Sequence, residues 1–295
     1  MLCERVVAMK TRILKPLLFS APALGLYLIF WGIPIVTSII MCFFKVTGFA
    51  LDWSFVGLDN FGRILRDPFF QVAFVNNAKW MAMSVLFPTI IGLTLALMVN
   101  SKVRLQNLFR GIFYYPCIIS MISVGLIWRW IFHPDGIFVA LQKSLGIANP
   151  LVMLGNMNTA LYGVFIAGVW AGVGTGMLLF LAGLQGIPEE IYEAATVDGA
   201  NFPQKLVRIT LPMLRQTFII VITMALIHSI GVFDIVMATT RGGPGRATYM
   251  LAIYMYINSF RSMYFGVGAA VSWVMTLLVA IPVIPYVMIM QKVDS

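Results

Sequence analysis

The sequence has little charge. Of its 295 residues, 11% are charged and 60% are hydrophobic, whereas a soluble globular domain usually has about 25% charged residues. So few charges do not cover a water-exposed surface of this size, which excludes an ordinary soluble domain. The composition therefore indicates an integral membrane protein surrounded by the lipid bilayer, and we expect an all-α fold of membrane-crossing helices.

Patterns for metal, redox and nucleotide chemistry are also missing. Cys3, Cys42 and Cys117 show no CxxC or zinc-like spacing, and His228 has no second histidine at an HExxH spacing. The glycine-rich stretch Thr240–Thr248 lacks the lysine of the Walker phosphate loop, and no such motif occurs elsewhere in the sequence. We therefore expect no catalytic residue, no metal site and no cofactor bound by this chain, which is not an enzyme by itself.

Basic residues are not clustered either. The net charge of +9 would suit nucleic acid, but the lysines and arginines are scattered singly between apolar segments. They form no basic surface interleaved with aromatic residues. No nucleic-acid partner is expected.

Six charge-free runs are each long enough to cross a bilayer as a helix, which takes about 20 apolar residues. The runs are Pro16–Phe44, Trp80–Ser101, Gly111–Trp128, Ser144–Pro188, Gln216–Phe233 and Ser262–Gln291. We expect six transmembrane helices, at about 17–43, 73–99, 111–128, 159–184, 216–238 and 265–289. In the fourth, Gly168, Gly172 and Gly176 recur every four residues and predict close approach of a neighbouring helix.

The N-terminal tail predicts the orientation. It carries the cations Arg5, Lys10, Arg12 and Lys15 against Glu4 alone, which places it in the cytoplasm by the positive-inside tendency. The apolar run that follows is too long for a secretory signal and no small-residue cleavage site ends it, so we expect a retained helix. With six crossings both termini are cytoplasmic, although the remaining loops divide their cations almost evenly between the two sides.

The most polar insert between two long apolar runs is Glu189–Pro212. Pro188 suits the start of a helix, and three glutamates follow in its first turns, where the helix dipole favours carboxylates. Asp198-Gly199 then offers a turn that tolerates positive φ. We expect a short helix followed by a reversal of the chain.

A second short helix is expected after this reversal. Pro203 opens it, it ends near Arg208, and Leu211-Pro212 starts the next membrane span. An ordinary surface loop would have the same composition, so the spacing of the residues decides between the two interpretations.

That spacing resembles the EAA loop of ABC importer permeases. Glu193-Ala194-Ala195 is followed after three residues by Gly199, after nine more by Ile209, and then by Leu211-Pro212. The resemblance implies that this loop, residues 187–212, is a cytoplasmic coupling helix that docks on an ATP-hydrolysing subunit. In that interpretation Glu193 caps and orients the loop by hydrogen bonds or an ion pair. The residues to which the resemblance assigns coupling are Glu190, Glu193, Ala194, Ala195, Asp198, Gly199, Ala200, Ile209, Leu211 and Pro212.

Three other segments resemble carbohydrate permeases of the same class. They are the GL-x-N-F pattern at Gly57–Phe61, the sequence Trp128–Phe132 at the end of the third run, and the T-x-GGP-x-x-x-T pattern at Thr240–Thr248. The resemblance implies that the last of these lies in the external loop before the last membrane span. Interfacial aromatic residues beside a snorkelling arginine would explain Trp128–Phe132 without any family. Between Lys45 and Val72 we expect a short amphipathic lid at the membrane interface.

The resemblance implies a type I ABC importer permease fold in a prokaryotic inner or plasma membrane. Residues 1–71 would form the tail, the first helix and an external loop, and residues 72–288 the permease domain with five helices. The implied partners are a second permease subunit, two ABC ATPase subunits that bind ATP and Mg, and an extracytoplasmic solute-binding protein.

The substrate path is predicted from four residues. Thr175 and Ser229 correspond by segment length to sugar-contact positions in maltose-type permeases, and Trp170 and Asp234 offer a stacking surface and a costly carboxylate near the membrane. Ordinary helix packing, or a helix-end position for Asp234, is an equal alternative for each. The expected solute is a sugar, with glycerol 3-phosphate or another polyol as the alternative. A self-contained secondary transporter or channel is the rival of a different class.

Overall fold

The computed structural model describes residues 19–48, 52–100 and 106–292. The predicted cytoplasmic tail with its four cations lies outside the described residues, as do Cys3 and the cations Lys102 and Arg104 that follow the second predicted helix. The orientation that they indicate therefore stays a prediction.

The described chain is built from helices, with one short hairpin. The helices are α1 (Phe19–Met41), α2 (Asp59–Arg66), α3 (Pro68–Asn100), α4 (Gln106–Ile118), α5 (Met121–Ile131), α6 (Ile137–Ser144), α7 (Ala160–Gln185), α8 (Glu189–Val197), α9 (Phe202–Met213), α10 (Arg215–Ile230), α11 (Asp234–Thr239), α12 (Leu251–Tyr256) and α13 (Phe265–Lys292). The strands are β1 (Phe44–Thr47) and β2 (Asp52–Phe55). This confirms the predicted all-α membrane fold.

Four helices are long and apolar enough to cross a membrane singly, namely α1, α3, α7 and α13. Two more crossings exist only if a bent pair counts as one span: α4 with α5, bent by 100°, and α9 with α10, bent by 68°. The prediction of one unbroken third helix over 111–128 is wrong. The backbone is extended at Ile119, and Ser120 starts a new helix because its Oγ accepts a hydrogen bond from the Ser123 amide at 3.3 Å.

The predicted fifth helix, 216–238, is also interrupted. Helix α10 ends at Ile230, Gly231 to Phe233 are not helical, and α11 starts at Asp234. Glycine at the break lowers the preference of the chain for helix. Periodicity and charge alone do not reveal such a break inside an apolar run.

Two helices widen locally in front of a proline. A π-turn at Leu28–Gly32 precedes Pro34 in α1, and another at Leu206–Thr210 precedes Pro212 in α9. Proline has no amide hydrogen and its ring collides with the carbonyl four residues earlier, so a wider turn accommodates it. A π-turn therefore accommodates Pro34 within α1.

The chain divides into two compact units, and the first joins the residues up to Ile64 with Asn258–Trp273. Its hairpin pairs β1 and β2 antiparallel, with Phe44 opposite Phe55. This hairpin replaces part of the predicted amphipathic lid. Buried Asn60 donates to the carbonyls of Cys42 and Phe44 at 2.8 and 2.9 Å, and Gly57 has φ +57°, which gives physical reasons for the GL-x-N-F pattern.

The second unit comprises Leu65–Ile257 with the chain from Val274 onwards. Its central contact is α3 against α7, where a Cβ on Gly92 would lie 3.1 Å from the amide nitrogen of Met177. Gly174 likewise has the backbone of Phe113 and Tyr114 against it, so α4 also approaches α7 closely. The predicted glycine face is confirmed only in part, because Gly172 has open space beside it.

Candidate functional site

The insert between α7 and α10, which we call the elbow (Glu189–Met213), folds as a helix, a turn and a second helix. Helix α8 starts at Glu189 after an extended Pro188. Gly199 has φ +79°, and its amide donates to the Thr196 carbonyl at 3.0 Å. Because side chains other than glycine strongly disfavour such a φ, the turn depends on this glycine. The first arm of the elbow, which is helix α8 with the turn at Gly199, folds as the sequence predicts.

The second arm differs from the prediction in its ends. Helix α9 starts at Phe202, where Asn201 and Gln204 form a reciprocal capping box. It continues beyond Arg208 to Met213, so Leu211-Pro212 does not start the membrane helix. Leu214 is not helical, and α10 begins after it with the 68° change of direction.

Side chains connect the two arms. The hydroxyls of Tyr192 and Thr210 hydrogen-bond at 2.9 Å, and the Lys205 ammonium donates to the Thr196 hydroxyl at 2.7 Å. Tyr192 also packs against an apolar cluster formed by α3, α7 and α10 together with Leu214. The elbow is therefore braced across its turn and attached to the helix bundle.

We expect Tyr192→Phe to loosen this brace. The substitution removes one neutral hydrogen bond, worth about 1 kcal/mol, so amides of α8 should exchange with solvent about fivefold faster. Hydrogen-exchange mass spectrometry on the purified full chain measures this. The control is Tyr162→Phe, because Tyr162 is an exposed tyrosine of α7 outside the elbow; equal exchange in both variants would contradict the brace.

The predicted coupling residues lie on the outside of the elbow. Glu190, Glu193, Ala194, Asp198, Gly199 and Pro212 are exposed, and Ala195, Ala200, Ile209 and Leu211 are half-buried. Val197 and Phe202 beside them are 87% and 69% exposed. The elbow therefore presents carboxylates next to uncovered apolar side chains. Sequence reasoning did not name Val197 and Phe202 for docking, although two large apolar residues flanking a polar turn are a usable signal.

The expected role of Glu193 within the chain is not what the structure shows. Among the described residues, its carboxylate has no hydrogen-bond or ion-pair partner, and it points from an exposed position on α8. Glu193 therefore does not cap or orient the loop from within the described chain. The bonding capacity of this carboxylate is available to a partner.

A cavity of about 420 Å³ lies inside the second unit. Its walls come from α3, α7 and α10, from the break between α4 and α5, and from the break before α11. This volume falls in the range of about 300 to 1,000 Å³ that is typical of small-molecule pockets. The two breaks that sequence reasoning missed are thus the places where the bundle opens.

Three of the four predicted pathway residues line this cavity. Thr175 and Asp234 are exposed on its wall, whereas Ser229 is 2% exposed and its hydroxyl donates to the Leu226 carbonyl at 2.7 Å. Trp170 is not on the lining, because its ring packs on Trp128 with a centroid distance of 5.9 Å. Five residues along a helix rotate a side chain by about 140°, so Trp170 and Thr175 cannot share one face. Contact of any of these residues with a solute stays a prediction.

Three aromatic side chains that were not singled out beforehand line the cavity, namely Trp80, Phe165 and Phe233. Trp80 and Phe165 meet edge to face at 5.2 Å on the wall, and Phe233 lies at the break. Trp80, Ser84 and Pro88 recur every four residues on one face of α3, which was a detectable signal. His228, considered from the sequence only as a metal ligand, also lines the cavity.

The two ends of the T-x-GGP-x-x-x-T pattern meet. The hydroxyls of Thr240 and Thr248 lie 2.6 Å apart, and the Thr248 hydroxyl donates to the Gly243 carbonyl at 2.8 Å. Gly242 has φ +92°, and the Arg246 guanidinium stacks on the ring of Phe69 at 3.1 Å from its centroid. The pattern therefore encodes a closed, rigid loop.

Two buried asparagines of α3 fasten this loop to the cavity wall. Asn76 donates to the carbonyls of Ala247 and Tyr249 at 3.1 and 3.0 Å. Asn77 accepts from the Leu251 amide at 2.7 Å and donates to the Ser229 carbonyl at 3.4 Å. Burial raises the pKa of Tyr249, the Asp67 carboxylate raises it further, and Arg246 opposes them, so the phenol stays protonated.

Comparison with known proteins agrees with this architecture. Residues 88–295 match the family described as "Binding-protein-dependent transport system inner membrane component". A probable ABC transporter permease of Pyrococcus horikoshii is 32% identical over 92% of this chain and 93% of its own length. The lactose transport system permease LacF of Rhizobium radiobacter is 32% identical over 90% of each chain. The trehalose/maltose permease MalF of Thermococcus litoralis is 31% identical over 86% of each.

A solved structure has the same fold. It is a chain of a bacterial ABC transporter involved in the import of the acidic polysaccharide alginate, with a TM-score of 0.86 and 21% identity over 99% of this chain and all of that one. The chain therefore has the type I permease fold.

Proposed function

This chain belongs to the family of binding-protein-dependent transport system inner membrane components, and from that premise we propose that it is one permease subunit of an ATP-driven importer for a sugar. The lactose and trehalose/maltose permeases that resemble it over most of their length support a sugar as the solute. The cavity of about 420 Å³ supports a small solute.

The observation that carries the proposal is the position of the elbow. It joins α7 directly to α10, and these two helices supply most of the cavity wall. Any rotation of the elbow therefore acts on both walls together. Since the arms are braced by Tyr192–Thr210 and Lys205–Thr196, the elbow transmits a movement instead of absorbing it.

In this proposal, transport is driven by a pair of ABC ATPase subunits that bind ATP and Mg. They dock on the exposed carboxylates and apolar side chains of the elbow, with Glu193, Asp198, Val197 and Phe202 as the contact residues. Their closure would move α7 and α10 between two arrangements that hold solute with different affinity, which is the thermodynamic requirement for vectorial transport.

The remaining partners are a second permease subunit and an extracytoplasmic solute-binding protein. The rigid Thr240–Thr248 loop suits the external docking surface, since a preorganised loop binds a partner without paying for its own ordering. Both termini would then be cytoplasmic, in agreement with the cations of the N-terminal tail.

Reconstitution tests the proposal. The chain is placed in proteoliposomes with its partner permease, the ATPase subunits and the binding protein, and uptake of labelled sugars is measured with and without ATP. We expect uptake only when ATP and the ATPase subunits are both present. Uptake of sugar by this chain without the ATPase subunits would instead establish a self-contained secondary transporter or channel.

A further inference from the structure

The wall of the cavity carries few charged residues. Of the described residues that line it, Asp234 alone carries a formal charge, and no lysine or arginine lies on the wall. Asp234 is exposed and makes no hydrogen bond or ion pair with any described residue. His228 and Cys117 also line the cavity and can ionise, and of the two only the imidazole can become positively charged.

We propose that this cavity selects neutral polyhydroxylated solutes and excludes anionic ones, with Asp234 as the residue that determines this selectivity. The inference rests on the proposed function, because it names the chemical class of the solute. It narrows the proposed sugar to a neutral one and assigns the selection to one residue.

The chemistry of the wall suits a neutral sugar. A carboxylate accepts hydrogen bonds from two neighbouring hydroxyls at once, and such charge-assisted bonds are stronger than neutral ones. The hydroxyl of Thr175 and the ring of His228 offer further polar contacts, and the half-buried ring of Phe233 offers an apolar surface to the carbon–hydrogen face of a sugar ring.

The described wall of the cavity offers no lysine or arginine to bind an anionic solute. Phosphate and carboxylate are recognised in proteins mainly by arginine, lysine or clusters of backbone amides. A sugar phosphate or uronate would instead meet a like charge in a mostly apolar cavity, which opposes its entry. The glycerol 3-phosphate alternative and an acidic polysaccharide such as alginate are therefore disfavoured for this chain.

A charge-selective labelling experiment tests whether Asp234 makes the cavity electrostatically unfavourable for anions. Cys3, Cys42 and Cys117 are replaced by alanine in the full-length chain, Thr175→Cys is introduced, and alkylation rates are compared for a cationic and an anionic methanethiosulfonate reagent. Relative to the exposed control Ser144→Cys, we expect the cation-to-anion rate ratio to be about fivefold higher, as one nearby charge in a watery cavity predicts. Adding Asp234→Asn should return the ratio to the control value.

Two further variants test the effect of Asp234 on the labelling ratio independently. Cys117 itself lines the cavity, so a chain that retains only this native cysteine gives the ratio without any substitution on the wall. His228→Gln in both backgrounds removes the lining imidazole. A ratio equal to that of Ser144→Cys, or one that Asp234→Asn leaves unchanged, would overturn the proposal.

Matched solutes test recognition. Glucose against glucuronate, and glycerol against glycerol 3-phosphate, are added at equal high concentration during labelling of Thr175→Cys in the assembled permease pair. We expect the neutral member of each pair to slow labelling more than its anion. A neutral member that protects no better than its anion would overturn the inference. Loss of ATP-dependent uptake would instead bear on the importer proposal, because labelling needs neither ATP nor ATPase subunits.

Discussion

Replacing Gly199 by proline should abolish ATP-dependent uptake while the protein still inserts into the membrane. The native residue has φ +79° and its amide donates to the Thr196 carbonyl. Proline fixes φ near −65° and has no amide hydrogen, so the turn cannot form and α9 leaves in another direction. Uptake by proteoliposomes and retention of the ATPase subunits on the purified permease measure the effect.

The substitutions at this position form a graded series. Asparagine tolerates positive φ best after glycine, alanine is strained by about 1 to 2 kcal/mol, and proline is excluded. We therefore expect uptake to fall in the order glycine, asparagine, alanine, proline. Gly146→Pro is the matched control, because Gly146 is also exposed, has φ +80° and follows a helix, but lies outside the elbow. It should leave ATPase retention unchanged.

Reversal of charge at Glu193 is the second prediction with a large effect. This carboxylate is exposed and has no partner among the described residues, so Glu193→Lys should leave the thermal stability of the purified chain unchanged. At a docked interface, a reversed charge costs about 2 kcal/mol or more, which is a loss of more than about thirtyfold in affinity for the ATPase. Uptake should be lost with it.

Titration of ATPase subunits against the immobilised permease measures that affinity. Glu193→Gln should give an intermediate loss, since it removes the charge without reversing it. Asp135→Lys serves as the control because Asp135 is 89% exposed and lies far from the elbow in sequence. Equal affinity for Glu193→Lys and Asp135→Lys would remove Glu193 from the interface.

Local features of the elbow were predictable from the sequence because they depend on near neighbours. The start of α8 after Pro188 and the reversal at Gly199 follow from the backbone preferences of those residues. The extension of α9 to Met213 was not predictable in the same way. It depends on a π-turn that accommodates Pro212 and on the burial of Thr210 and Leu214.

The cavity was much harder to foresee. Apolar runs predict membrane crossings by length, but the breaks at Ile119–Ser120 and Gly231–Phe233 lie inside such runs and change neither their length nor their hydrophobicity. Both breaks line or adjoin the cavity. Trp170 was assigned to the pathway by residue type, whereas its packing on Trp128 depends on which face of α7 meets α5.

The T-x-GGP-x-x-x-T pattern was predictable in part, more than the cavity and less than the elbow. The resemblance predicts that it lies in an external loop, but only tertiary contacts explain why these residues are needed. Thr240 and Thr248 hydrogen-bond to each other, and Asn76 of α3 donates a hydrogen bond to the loop. The two threonines of this motif are thus explained by closure of the loop.

Photo-crosslinking from Val197 tests the central claim, that the elbow carries the movement of the ATPase into the bundle. A benzophenone amino acid replaces Val197, which is 87% exposed on the elbow, and a second chain carries it at Ser144. We predict an ATP-sensitive crosslink to the ATPase subunit from Val197 and none from Ser144. A crosslink from Ser144 alone, or labelling of Val197→Cys by a membrane-impermeant reagent added outside intact cells, would contradict the account.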